Sequence, residues 1–295
     1  MIGAGIASKA VHFGGNVMPR ALTVAALCAV LLGVAGCSDD GTKVRNDQTA
    51  AAGAGSGSLN EQDLGGPGKT KQLQAAAASY RSYVLGEVTK LRAAATAFTD
   101  AVRAGEVSAA KDLYGPSRYS WQTIGPAAAL VPGVAAAVDG PSVGWHRLEY
   151  LLWAQGATDA TVASRLDVDL ANLQTALEKV AITPKAMVAG ALTLVRSAPA
   201  EPYSHTELWD FAARLDGAQA VFRTLTPVLR AKSNVLYNSL LRGFGTATAT
   251  LTAYRMPSGA YKPYTVVPPA DRQRLAAQLA AVAADLAKVG PVLGL

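Results

Sequence analysis

Apolar residues recur three and four positions apart along almost all of the chain beyond residue 70. That spacing places them on one face of an α-helix. Tyr80, Val84, Val88, Leu91, Ala95 and Phe98 predict a first helix over 72–104, stopped by Gly105. A second is predicted over 108–130, weakened at Gly115-Pro116 and Gly125-Pro126, and a loop over 131–141 follows. Further helices are predicted over 143–155, 160–181, 184–197, 204–230, 232–254 and 270–289. Pro184 suits a first helical turn, and Gly156 ends the third segment. In the sixth, Leu208, Phe211, Leu215, Ala218, Phe222, Leu225 and Leu229 form the core stripe. The Pro- and Tyr-rich stretch 256–269 reads as a packed connection rather than a binding surface. No alternating strand pattern emerges. The expected fold is all-α: a helical bundle, arranged as two packed four-helix bundles.

Before residue 71 the pattern differs. Arg20 precedes an uncharged, Ala-, Val- and Leu-rich stretch over 21–36, ending Val34-Ala35-Gly36-Cys37. A basic start, an apolar middle and small residues before a cleavage point describe a secretory signal. The stretch is short for a membrane span, which needs about 20 apolar residues. A cysteine directly after Ala-Gly resembles a bacterial lipobox, which implies cleavage before Cys37 and its lipidation. Met18 is an alternative start to Met1. Residues 1–36 are therefore read as a lipoprotein signal, and 37–70, rich in Gly, Ala, Ser and Asp, as a flexible tether. Residues 71–295 are the folded body. The second cysteine, Cys28, falls in the signal, so the body carries no disulfide and no thiolate metal site.

Charge narrows the function. The net charge of +6 is spread singly along the chain, so nucleic-acid binding is not expected. There is no H-E-x-x-H, no P-loop and no G-x-S-x-G. Two of the three histidines lie in information-rich stretches, 144–153 and 203–211. His146 and Glu149 are three apart and share one helix face. Around them Trp145, Leu148, Tyr150, Leu151, Leu152 and Trp153 leave only Arg147 and Ala154 suited to water. A helix apolar nearly all round is buried, and a buried carboxylate needs a partner. A metal ion, an arginine or a hydrogen-bond network would each serve. In the second stretch, Ser204 and Glu207 read as a capping box, and Asp210 with Arg214 as a surface ion pair. His205, Glu207 and Asp210 are thus a second site or structural. His12 lies in the segment to be removed. Glu87 is a weaker metal candidate, a carboxylate on a buried-looking helix.

The run Gly144-Trp145-His146-Arg147-Leu148-Glu149 with Leu152-Trp153 resembles a signature of the EfeO/EfeM family of bacterial iron-uptake proteins, which carry an imelysin-like helical domain. So does Tyr203-Ser204-His205-Thr206-Glu207-Leu208-Trp209-Asp210-Phe211, continued by Asp216-Gly217-Ala218-Gln219. The resemblance spans about 80–290. It implies an extracytoplasmic, membrane-anchored protein that is no enzyme. Such a protein captures iron, Fe2+ or Fe3+, for a membrane permease working with a haem-type peroxidase. Zn2+ and Cu2+ are alternative ions. The short segment before the body implies the EfeM-like form, and His146 and Glu149 are the implied leading ligands. The family's Y-E-R-I-E-P pattern is here Trp121-Gln122-Thr123-Ile124-Gly125-Pro126, without both carboxylates. Of its Asp-x-Arg-Glu only Asp139 survives. Iron favours several oxygen donors beside imidazole, so a weakened site is expected. The alternatives are a non-metal interaction protein on the same fold and a metallopeptidase.

Overall fold

The computed structural model describes residues 66–295. The signal over 1–36, Cys37 and the tether as far as residue 65 lie outside the described residues. The elements are α1 Gly66–Arg103, α2 Val107–Thr123, α3 Gly125–Ala128, α4 Pro132–Asp139, α5 Gly144–Tyr150 with a π-helical turn Leu151–Gln155, and α6 Ala160–Lys179. They continue with α7 Pro184–Arg196, α8 Glu207–Lys232, α9 Asn234–Thr252, a 3-10 turn Tyr264–Val266 and α10 Pro269–Leu293. Among the described residues the sole β-type pairing is an isolated bridge between Arg255 and Tyr261.

The architecture is all-α, as the periodicity requires. α1, α2, α6 and α8 pack as one group, and α7, α8, α9 and α10 as another, with α8 common to both. The first stripe is the core of α1: Tyr80, Val84, Leu91, Ala95 and Phe98 are wholly buried. At ~1.5 Å per residue, the 38 residues of α1 run ~57 Å along the first group. It starts at Gly66, a few residues before the predicted body.

Four local features add to or correct the sequence pattern, each for a physical reason. First, α2 passes through Gly115-Pro116 unbroken. A Cβ on Gly115 would lie 2.6 Å from Trp209 Cδ1, so the glycine that weakens the helix locally is a packing site for the α8 indole. Secondly, the segment over 131–141 is not a loop: Pro132 opens α4 as a first-turn proline. Thirdly, the third helix stops at Gly156 as expected, its last turn being a π turn closed by that glycine in the left-handed region (φ +60°). Fourthly, α8 begins at Glu207, with Thr206 in the capping position and no side-chain cap. The predicted Ser204–Glu207 box does not form, because Ser204 turns its amide to Glu149 instead. The connection after α9 is packed, as expected: Tyr261 meets Trp209 edge to face, with ring centroids 5.3 Å apart.

Candidate metal centre

Gly144 explains how α4 and α5 come together. Its φ is +52°, and a Cβ there would lie 1.8 Å from the Val138 carbonyl oxygen. Only glycine tolerates both the left-handed backbone and that approach. The close contact sets Asp139, the last residue of α4, against the first turn of α5. His146 Nε2 lies 3.6 Å from Asp139 Oδ1, and His146 Nδ1 lies 3.6 Å from Glu149 Oε2. The imidazole thus stands between two carboxylates.

The chain before α8 supplies the other side. His205 adopts a left-handed backbone (φ +56°), which histidine tolerates better than most residues. Its amide donates to the Glu201 carbonyl at 3.0 Å. The resulting turn points the amides of Ser204 (2.8 Å) and Tyr203 (3.2 Å) at Glu149 Oε1. Burial pushes Glu149 up, but the His146 imidazole and the Ser204 and Tyr203 donors outweigh it and hold it below the ordinary carboxylate value. The same turn brings in Glu201, buried to 1% exposure. Donor atoms of His146, Glu149 and Glu201 all lie within 4.8 Å of one another. With metal bonds of ~2.0–2.2 Å, opposite donors of an octahedral ion would stand ~4.2 Å apart. Small side-chain adjustments would therefore close this set on an ion.

Behind the cluster lies a wholly buried cation. Arg118 of α2 reaches Glu201 Oε1 at 2.7 Å, and Asp139 Oδ2 and Asp210 Oδ2 at 3.3 Å each. Its other amino group donates to Tyr114 Oη at 2.6 Å, and Tyr114 donates to Glu201 Oε2 at 2.8 Å. Burial works against the guanidinium charge, yet Asp139, Tyr114, Asp210 and Glu201 overcome it and keep Arg118 firmly protonated. One cation cannot neutralise three carboxyls. Burial, with Asp210 and Glu149 adding to it against Arg118, pushes Glu201 up to about 10, so it holds a proton at neutral pH. Asp210 is also raised by burial. Trp121 Nε1 donates to Asp139 Oδ2 at 2.7 Å. Asp139 Oδ1, by contrast, is buried without any hydrogen-bond partner. An unpaired buried carboxylate oxygen is costly, and this one faces His146.

The sequence-predicted residues therefore separate. His146, Glu149 and Asp139 are brought together. Asp210 is no surface residue: it is buried in the Arg118 network. Glu207 is half-buried and raised by burial, with Oε2 unpartnered, and His205 contributes its backbone. Glu87 stands elsewhere, its oxygens taken by Ser120 (2.8 Å) and Lys90 (2.7 Å). Glu201 and Arg118 were missed. Glu201 is a lone carboxylate in Ala198-Pro199-Ala200-Glu201-Pro202, directly before the second stretch. Arg118 lies four after Tyr114 on a buried face, an arginine where an apolar residue is due. The residues in place of the family's glutamates are accounted for. Gln122 bridges Arg214 (2.9 Å) and Asp210 (3.2 Å). A Cβ on Gly125 would meet Leu194 Cδ1 at 2.6 Å. Neither position belongs to the set around His146, whose third donor is Glu201.

Comparison with known proteins fits this geometry. The imelysin family profile matches residues 76–143 and 135–289. Proteins named iron uptake system component EfeO, from Escherichia coli (strain K12), Shigella flexneri and Shigella sonnei (strain Ss046), are each 32% identical over 244 residues. The match covers 76% of this chain and 65% of each relative. With the helical fold and the matched length together, the chain belongs to the imelysin family, with EfeO-type proteins among its relatives.

Proposed function

We propose that this protein captures iron outside the cytoplasm and passes it to a membrane permease, as one component of an EfeO-type uptake system. His146, Glu149 and Glu201 would ligate the ion, with Asp139 as a fourth donor. One observation carries the reading: the buried, unpartnered Asp139 Oδ1, 3.6 Å from His146 Nε2, in a cluster that also holds Glu149 and Glu201. Imidazole with several carboxylates suits Fe2+ or Fe3+, and Zn2+ and Cu2+ compete for the same donors. The names of the relatives support iron as the cargo. Capture and release need no covalent step, so the protein is no enzyme on this reading. Cys37 would carry the lipid anchor, and the residues between it and α1 would tether the body near the permease and a haem-type peroxidase.

Arg118 favours one rival. An internal cation already holds Glu201, Asp139 and Asp210, so the same residues would persist as a structural network without iron. Calorimetry with Fe(II) under anaerobic conditions, Zn(II) and Cu(II) separates the two. Capture requires one ion per protein, lost in His146→Ala and Glu149→Gln while the helical circular-dichroism signal persists. A wild-type protein that binds no ion establishes the structural network instead.

A further inference from the structure

The metal cluster has an open side. A pocket of ≈280 Å³ is bounded by His146, Glu149, Arg147, Tyr150, Pro202 and Tyr203. Glu201 and Asp139 do not line it, so they close the cluster from within. With each side chain binding through one atom, four donors leave two positions of an octahedral ion unfilled, and the pocket beside His146 and Glu149 is the open side from which a ligand would reach them.

Arg147 marks what fills them. Its neighbour His146 is surrounded by acids, yet the Arg147 guanidinium makes no ion pair and no hydrogen bond among the described residues. The guanidinium carbon lies over the Tyr150 ring, 5.5 Å from its centroid. Arg147 lies in the last turn of α5, where a cation suits the helix dipole. That turn runs directly into the π segment, so its carbonyls are not a free C-terminus for Arg147 to cap. Arg147 is half-buried and also borders a second depression of ≈480 Å³, with Ser142 common to both. Tyr150 and Tyr203 stack edge to face with centroids 5.4 Å apart, and with Pro202 they give the pocket an apolar, ring-lined wall. That wall fits a carbon skeleton better than an inorganic oxyanion.

We infer that a small polycarboxylate completes the coordination of the captured ion, one carboxylate on the metal and another on Arg147. The protein would then take up iron as a carboxylate chelate and keep the chelator. This deepens the capture reading and rests on it. Equilibrium dialysis of the purified protein with radiolabelled citrate, with and without Fe(III), tests it, and anaerobic Fe(II) without citrate serves as the metal-only probe. One citrate and one iron should be retained per protein, and citrate alone should be held far more weakly. In Arg147→Gln, Fe(II) binding should persist while citrate retention weakens by roughly tenfold to hundredfold, the worth of a hydrogen bond to a charged group. Iron retained with citrate left free, citrate held equally without iron, phosphate held in its place, or unchanged retention in Arg147→Gln would each overturn the inference. Failure of Fe(II) and Fe(III) alike in the wild type would instead remove the capture reading beneath it.

Discussion

Replacing Glu201 by Gln should stabilise the metal-free protein while weakening its hold on a metal. Burial, Asp210 and Glu149 push Glu201 up to about 10 from the ordinary 4.5, despite Arg118 at 2.7 Å. The unfolded chain releases that proton near 4.5, and the folded one keeps it to about 10. A folded value above the unfolded one gives stability that is complete below the unfolded value. It is lost as pH rises through the window to about 10. At ~1.36 kcal/mol per unit, the loss at pH 7 is about 3 kcal/mol. Glutamine copies the protonated acid in shape and never titrates, so Glu201→Gln should recover about 3 kcal/mol at pH 7 and almost none at pH 4. Urea unfolding of chelator-treated wild type and variant, followed by far-ultraviolet circular dichroism at both pH values, reads this directly. Metal binding should move the other way. The wild type must shed the Glu201 proton, so its affinity should rise about tenfold per pH unit above neutrality, and the variant should lose that dependence along with a charged donor. A variant less stable than wild type at pH 7 would refute the argument, since it would mean Glu201 is ionised and held by Arg118.

Gly144→Ala should cost about 3 kcal/mol or more, because the new Cβ would meet the Val138 carbonyl at 1.8 Å in a left-handed backbone; a thermal melt near wild type would refute it. Glu87→Gln should cost about 1 kcal/mol or less, since its Lys90 partner is exposed, and calorimetry should show unchanged metal affinity. Asp285 takes a hydrogen bond from Ser239 at 2.6 Å, tying α10 to α9. Burial raises it, but Lys288 and Ser239 prevail and hold it below the ordinary 3.8. Asp285→Asn should therefore cost about 1 kcal/mol at pH 7, and the difference should fade as pH drops through the lowered value, measured by urea unfolding at pH 7 and pH 3.

The helices were legible because burial and period coincide: the Tyr80 to Phe98 stripe is the innermost face of α1. The readings that failed turned on single residues with two physical uses. Pro132 breaks a helix in its interior and opens one at its first turn, and the pattern around it does not say which applies. Ser204 followed three residues on by Glu207 is a capping pattern, but the left-handed turn at His205 gives the Ser204 amide to Glu149. His146 and Glu149 were legible as a pair because one helical turn makes them neighbours. Glu201 and Arg118 come from a loop and another helix, and only tertiary packing places them beside that pair. Where the family's glutamates are absent, the replacement was not legible either: Gln122 bonds Asp210 and Arg214, and Asp210 reaches the imidazole only through Arg118 and Asp139.

The Arg118 network also bears on how such a site would let go of its cargo. Buried carboxyls with no counter-charge would repel one another, and the unfilled pocket would be costly to maintain. Here the charge is divided between Arg118 and the proton on Glu201. On the proposed capture reading, an incoming ion would have to displace that proton and draw Glu201 Oε1 away from Arg118, and both would return when the ion left. The metal-free state is thereby stabilised relative to a bare acidic cage, and affinity is lowered by the same amount. A carrier that must surrender iron to a permease benefits from that reduction, whereas a storage site would not. Arg118→Met tests the point: with the internal cation gone, metal-free stability should fall by about 3 kcal/mol or more, while the stabilisation gained on adding metal should grow. Equal metal-induced stabilisation in both proteins would show that Arg118 and the ion do not compete.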